Sequence, residues 1–146
     1  MDMLKTVTAN PALYRKTLLS LVCIILVMTG CGDLVNAKSA AEEEITEFHE
    51  KYNGSNFELI YNDAHPTFKE DRSLEEFNEF MTSVHRKLGL VSSTTNQGWG
   101  VNSDSDGTSA TMHQETKFEL GTGVETFTFV IVDEKALLVA YSPPIW

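Results

Sequence analysis

The feature that most restricts the fold is a change of hydrophobic period at Gly89. Before it, apolar residues recur at helical spacing. Leu74, Phe77, Met81, Val84 and Leu88 fall on one face of a helix expected over 74–88. After it the period drops to two. Residues 108–120 place Ala110, Met112, Thr116, Phe118 and Leu120 on one side, with His113, Glu115, Lys117 and Glu119 on the other. Helices followed by a run of strands imply an α+β fold, with helices covering one face of an antiparallel sheet.

Three helices are expected ahead of the switch, each opened by the pattern S-x-x-E: Ser39 to Glu42, Ser55 to Glu58 and Ser73 to Glu76. In that capping box the hydroxyl accepts a free backbone N–H and the carboxylate reaches back to the cap. The first helix is expected over 40–53, burying Ala41, Ile45, Phe48 and Tyr52. The second covers 56–64, with Phe57, Ile60, Tyr61 and Ala64 on one face, and His65-Pro66 ends it. Gly89 supplies a left-handed cap for the third.

Four strands follow in a meander. Val91–Val101 is a Ser/Thr-rich strand with one weakly apolar face, and the glycines around Trp99 mark a bulge or bend within it. Residues 102–107 form a loop, and Gly121-Thr-Gly123 is expected as a hairpin turn. Residues 124–133 are apolar on nearly both faces, Phe127, Phe129 and Ile131 against Val130 and Val132, as in a central strand. No Asp or Glu is expected to point inward from the sheet. A turn at Asp133-Glu134-Lys135 leads to a last strand over 136–142, closed by Pro143-Pro144.

The first thirty residues have a different character. Lys5, Arg15 and Lys16 precede Thr17–Gly30, an uncharged run too short for a stable bilayer span, which needs about 20 residues. A basic segment, a short apolar segment and a small-residue exit read as a signal peptide over 1–30. The exit, Val27-Met28-Thr29-Gly30-Cys31, resembles the lipobox of bacterial lipoproteins, with Met28 where Leu is commonest. That resemblance implies cleavage between Gly30 and Cys31 and diacylglycerol (with palmitate-type acyl chains) on the Cys31 thiol. Residues 31–38 would then be the lipidated cysteine and a tether of about 3.3 Å per residue, and 39–146 a single domain beside its membrane. The implied place is the cell envelope, on the outer side of the cytoplasmic membrane or at an outer membrane facing the periplasm.

Composition narrows the function classes. The formal charge is −10, and loss of residues 1–30 leaves 8 Lys/Arg against 20 Asp/Glu. Nucleic-acid binding is disfavoured, because it needs clustered Lys/Arg to displace counterions. Cys23 departs with the signal peptide and Cys31 carries lipid, so thiol catalysis is excluded. Asn102, Asp104, Asp106 and Gly107 match the first half of an EF-hand loop. The twelfth position is His113, where a bidentate Glu is needed, so the stretch reads as a turn. No His pair has metal-binding spacing with a Glu, and no metal or cofactor is expected. Glu42, Glu43, Glu44, Glu47 and Glu50 read as a solvated face, with a basic partner as the sharper alternative. The terminal Trp146 is expected to fold back onto the domain.

The helix order and proportions, and the stretch Phe68–Leu90 with Ser-Leu-Glu-Glu-Phe and Arg-Lys-Leu-Gly, resemble the nuclear-transport-factor-2-like, or cystatin-like, fold. The resemblance covers about residues 40–142. It implies a cone in which three N-terminal helices pack on a curved four-stranded antiparallel sheet, often as a homodimer, with a pocket between the layers. His49, Tyr52, Tyr61 and Trp99 are the residues expected at that pocket. Relatives include isomerases, dehydratases, ligand sensors and protein-binding modules, so the fold alone selects no activity. The favoured expectation is a non-enzymatic binding or accessory module for an envelope protein, contacting through the pocket or the outer sheet face. A small-molecule pocket protein is the alternative. An acid–base enzyme using His49 or Asp63 is the third reading, and no catalytic residue is assigned.

Overall fold

Helix α1 (Gly32–Asn53) is followed by α2 (Phe57–Asp63), α3 (Pro66–Glu70) and α4 (Leu74–Leu88). Strands β1 (Val91–Asp104), β2 (Gly107–Phe118), β3 (Gly121–Val132) and β4 (Lys135–Ser142) come next, paired antiparallel in the order β1-β2-β3-β4. This computed structural model describes residues 32–105 and 107–145. Residues 1–30, where a signal peptide is expected, and Cys31, Asp106 and Trp146 lie outside the described residues. The α+β class and the four-stranded antiparallel meander agree with the sequence. None of the described helices is long and apolar enough to cross a membrane.

Two of the three expected capping boxes do not form. Ser73 has the complete box: its hydroxyl accepts from Glu76 N, and Glu76 Oε2 accepts from Ser73 N at 2.8 Å. Ser39 lies inside α1, which begins at Gly32 rather than near 40, so no free helix end exists there; Glu42 pairs with Lys38 instead. Ser55 takes φ of 55°, outside the extended region a cap requires, and α2 starts after Asn56 without a side-chain cap. Pro66 both ends α2 and opens a further short helix, with His65 as the N-cap accepting from Thr67 N. Gly89 closes α4 with the expected positive φ, 75°, but its ψ of −161° lies outside the left-handed helical region of the expected cap.

The core lies between α1, α4 and one sheet face. Ala41, Ile45, Phe48 and Tyr52 from α1 and Phe77, Met81, Val84 and Leu88 from α4 are buried against Ala110, Met112, Phe118, Phe127, Phe129 and Leu138. The β2–β3 turn is Glu119-Leu120, not Gly121–Gly123, because Phe118 pairs with Gly121. Leu120 therefore leaves the inner face and is exposed. Asp133 and Glu134 both have positive φ, the two-residue turn whose twist suits a hairpin.

Three irregularities decide which side chains face inward. One in β1, between Asn96 and Gly98, puts Trp99 opposite the buried Met112; without it, alternation would turn Gly98 and Gly100 inward. Another in β1 falls between Val91 and Ser93. The third, facing Thr128 and Phe129, leaves Val139 unpaired, so Tyr141 rather than Ala140 follows Leu138 onto the inner face, opposite Phe127. An extra residue in one strand shifts every later side chain to the other side of the sheet.

Candidate functional site

The chemistry-bearing group at the centre of the fold is a carboxylate. Glu125 is 1% exposed, although the sequence suggested no inward acid. It shares the inner face of β3 with Phe127 and Phe129 and stands opposite Gln114. Thr116 Oγ1 donates to Glu125 Oε2 at 2.5 Å, and His49 Nε2 lies 2.8 Å from the same oxygen. Tyr141 donates its hydroxyl to Oε1 at 2.7 Å. Thr94 Oγ1 extends the cluster, 3.1 Å from Thr116 Oγ1. Four elements contribute: His49 from α1, Thr116 from β2, Glu125 from β3 and Tyr141 from β4.

Rings enclose this cluster. Phe48 packs edge-on to Phe127 at 5.1 Å between centroids, and Tyr141 lies 4.7 Å from Phe48. His49 meets Phe127 edge-on at 5.8 Å. Burial, with the Glu125 charge and the hydrogen bond to it, pushes the Tyr141 phenol well above its usual range. Burial chiefly, with Glu125 adding, also raises Tyr52. Both phenols therefore stay protonated donors. A buried carboxylate costs several kcal/mol in desolvation unless its lone pairs are satisfied, and here three side chains satisfy them.

The four residues expected at a common pocket have separate attachments. His49 belongs to the Glu125 cluster. Tyr52 is buried and donates to Gly89 O at 3.0 Å, tying α1 to the end of α4. Tyr61 donates to Arg72 O at 2.7 Å, holding α2 to the segment before α4. Trp99 is 47% exposed at the far end of β1, with Lys38 Nζ 5.8 Å from its ring centre. Asp63 pairs with Lys51 at 3.1 Å on the surface. His85 packs 5.0 Å from the Tyr52 ring, and among the described residues its Nε2 is buried with no hydrogen-bond partner.

Lys51 is the hub of an acidic groove of about 360 Å³ lined by Glu43, Glu44, Glu47, Asp63 and Glu134. Its ammonium reaches Asp63 at 3.1 Å, Glu47 at 3.3 Å and Glu44 at 4.0 Å. Glu44 is pushed up to about 7, first by burial and then by Glu47, Asp63 and Glu43, with Lys51 opposing. Among the described residues no group of three or more His, Cys, Asp or Glu is arranged to hold a metal ion. No family model and no curated protein matches the chain.

Sequence reasoning missed Glu125 and Tyr141. Counting back by two from Phe129 and Phe127 reaches Glu125 on the same face, so its signal was present. Tyr141 carried none, because its side depends on the irregularity at Val139.

Proposed function

We propose that this chain is a cell-envelope lipoprotein, acylated at Cys31, whose cystatin-like domain acts as a non-enzymatic binding or accessory module. The observation that supports a module over an acid–base enzyme is the closure of the interior. Glu125 has its partners inside the protein, and the aromatic rings of Phe48, Phe127 and Tyr141 occupy the space around it. Proton transfer would need that carboxylate or the His49 imidazole within hydrogen-bond reach of a substrate. The scatter of Tyr52, Tyr61 and Trp99 among separate attachments likewise favours recognition at the surface over a shared small-molecule pocket.

The outer sheet face is the contact surface this reading favours. Val124, Val130 and Val132 share this face of β3 with Thr126 and Thr128, and Leu137 adjoins Val130 from β4. Val124 and Val132 are 48% and 41% exposed. The irregular edge strands β1 and β4 are consistent with the curved cone of the cystatin-like fold, since bulges bend and twist the strands that carry them.

Two arms test the proposal. Cells expressing the full chain are fed an alkyne fatty acid, and the label is followed in the native chain and in Cys31→Ala. Label on the first and not on the second is expected; equal labelling, or none, refutes the anchor. A photo-crosslinking residue at Thr128 is then compared with one at Glu58, on α2. A single discrete adduct from Thr128 alone is expected in intact envelopes, whereas identical patterns from both positions refute the outer face as the contact surface.

A further inference from the structure

The inner stripe of α1 continues past the layer it packs on. Ala37, Ala41, Ile45, Phe48 and Tyr52 are all buried, but Leu34, one turn earlier on the same face, is 41% exposed. Val35 beside it is 64% exposed, and Lys38 stands one turn from Leu34 with its ammonium over the half-exposed Trp99. Between Leu34 and Ala41 the helix carries no carboxylate, whereas Glu42, Glu43, Glu44, Glu47 and Glu50 follow directly. The first turns of α1 thus carry an apolar patch beside one lysine, itself paired with Glu42, and the middle of the helix is acidic.

We propose that Leu34, Val35, Lys38 and Trp99 form a seat for the membrane surface, so that the domain lies against the lipid headgroups instead of swinging from its anchor. This rests on the proposed lipidation of Cys31. The occupant follows from where the chain leads. Leu34 is three residues from Cys31, so the two are at most about 11 Å apart along the chain. A lipid-bearing Cys31 therefore brings the exposed Leu34 and Val35 to the bilayer surface. An indole with one polar N–H and a large apolar body suits the headgroup boundary, as does a lysine whose stem lies on apolar surface while its ammonium stays in water. Asp33 and Asp104 flank the patch in sequence and along β1, which favours neutral headgroups over anionic ones and a shallow depth.

The test uses the full chain, purified from the membranes of expressing cells, with Trp146→Phe so that Trp99 is the sole indole. It is reconstituted into phosphatidylcholine vesicles carrying a nitroxide either at the headgroup or deep on the acyl chain. Quenching of Trp99 emission by the headgroup nitroxide, exceeding that by the deep one, is expected. Emission that neither nitroxide quenches, in protein that floats with the vesicles, overturns the seat. Leu34→Ser with Val35→Ser should reduce the quenching while the protein still floats and keeps its circular dichroism; unchanged quenching overturns the part assigned to those residues. The mass of the N-terminal peptide scores the anchor separately. A chain without lipid on Cys31 that still shows the quenching refutes the lipoprotein reading and keeps the seat.

Discussion

Replacing Glu125 by leucine leaves a donor problem whose size the geometry sets. The Tyr141 hydroxyl and the His49 ring nitrogen each lose the partner they have at 2.7 and 2.8 Å. Thr116 is better placed, since Thr94 stays within 3.1 Å. Two newly orphaned buried groups at about 1–3 kcal/mol each give a loss of about 2–6 kcal/mol. Glu125→Gln should cost less, because its amide oxygen can still face His49 and Thr116, leaving only Tyr141 opposite an NH2 group. The decisive variant is Tyr141→Phe. In the native protein it removes a hydrogen bond to a carboxylate and should destabilise by about 1.5–3 kcal/mol. In the Glu125→Leu background it removes an orphan and should restore about 1–3 kcal/mol. Urea unfolding of the chain from Gly32 onward, with unchanged slope, reads all four variants. A Tyr141→Phe effect of the same sign in both backgrounds would refute the idea that this cluster is held by mutual satisfaction.

Further outcomes follow from the surface and the helix ends. The Glu44 carboxyl sits in the folded protein at about 7 against 4.5 ordinarily, so the folded state holds the extra proton. Its contribution to stability therefore falls as pH rises from about 4.5 to about 7. Glu44→Gln should stabilise by about 1 kcal/mol at pH 8, once the shift is discounted for partial exposure, and the gain should vanish by pH 4 in urea melts. Ser73→Ala should cost about 1 kcal/mol, and Ser39→Ala, inside a helix, should cost nothing measurable in the same assay. Gly123→Ala should lower the thermal midpoint and expose the tail to carboxypeptidase, because a Cβ there would run into the buried Pro144 ring.

The fold class was legible because it depends on period, and period survives without tertiary information. Leu74 to Leu88 places a helix, and Ala110 to Phe118 places a strand, whatever surrounds them. Capping was less legible. The same four-residue pattern occurs at Ser39, Ser55 and Ser73, but only Ser73 meets a free helix end with extended backbone. The site was least legible, because it is made by interruptions of the period. Trp99 and Tyr141 reach the inner face through one extra residue each, at Gln97 and Val139, and no local preference of those residues announces it. Glu125 was hidden differently: an acid in an apolar strand is unfavourable until His49, Thr116 and Tyr141 arrive from elements distant in sequence.

The polar, twice-interrupted β1 also bears on how such chains coexist at high density. It is the outermost strand on one side of the sheet and runs for 14 residues, long enough to template pairing with a neighbouring molecule. Most of its side chains are exposed Ser, Thr, Asn and Gln, and its irregularities at Ser92 and Gln97 break the even spacing of free backbone groups. A neighbouring strand could align with only a few of them before losing register. Deleting Gln97 should remove one of these two interruptions and make the edge more prone to fibril formation, while Trp99 keeps its place opposite Met112 on the inner face.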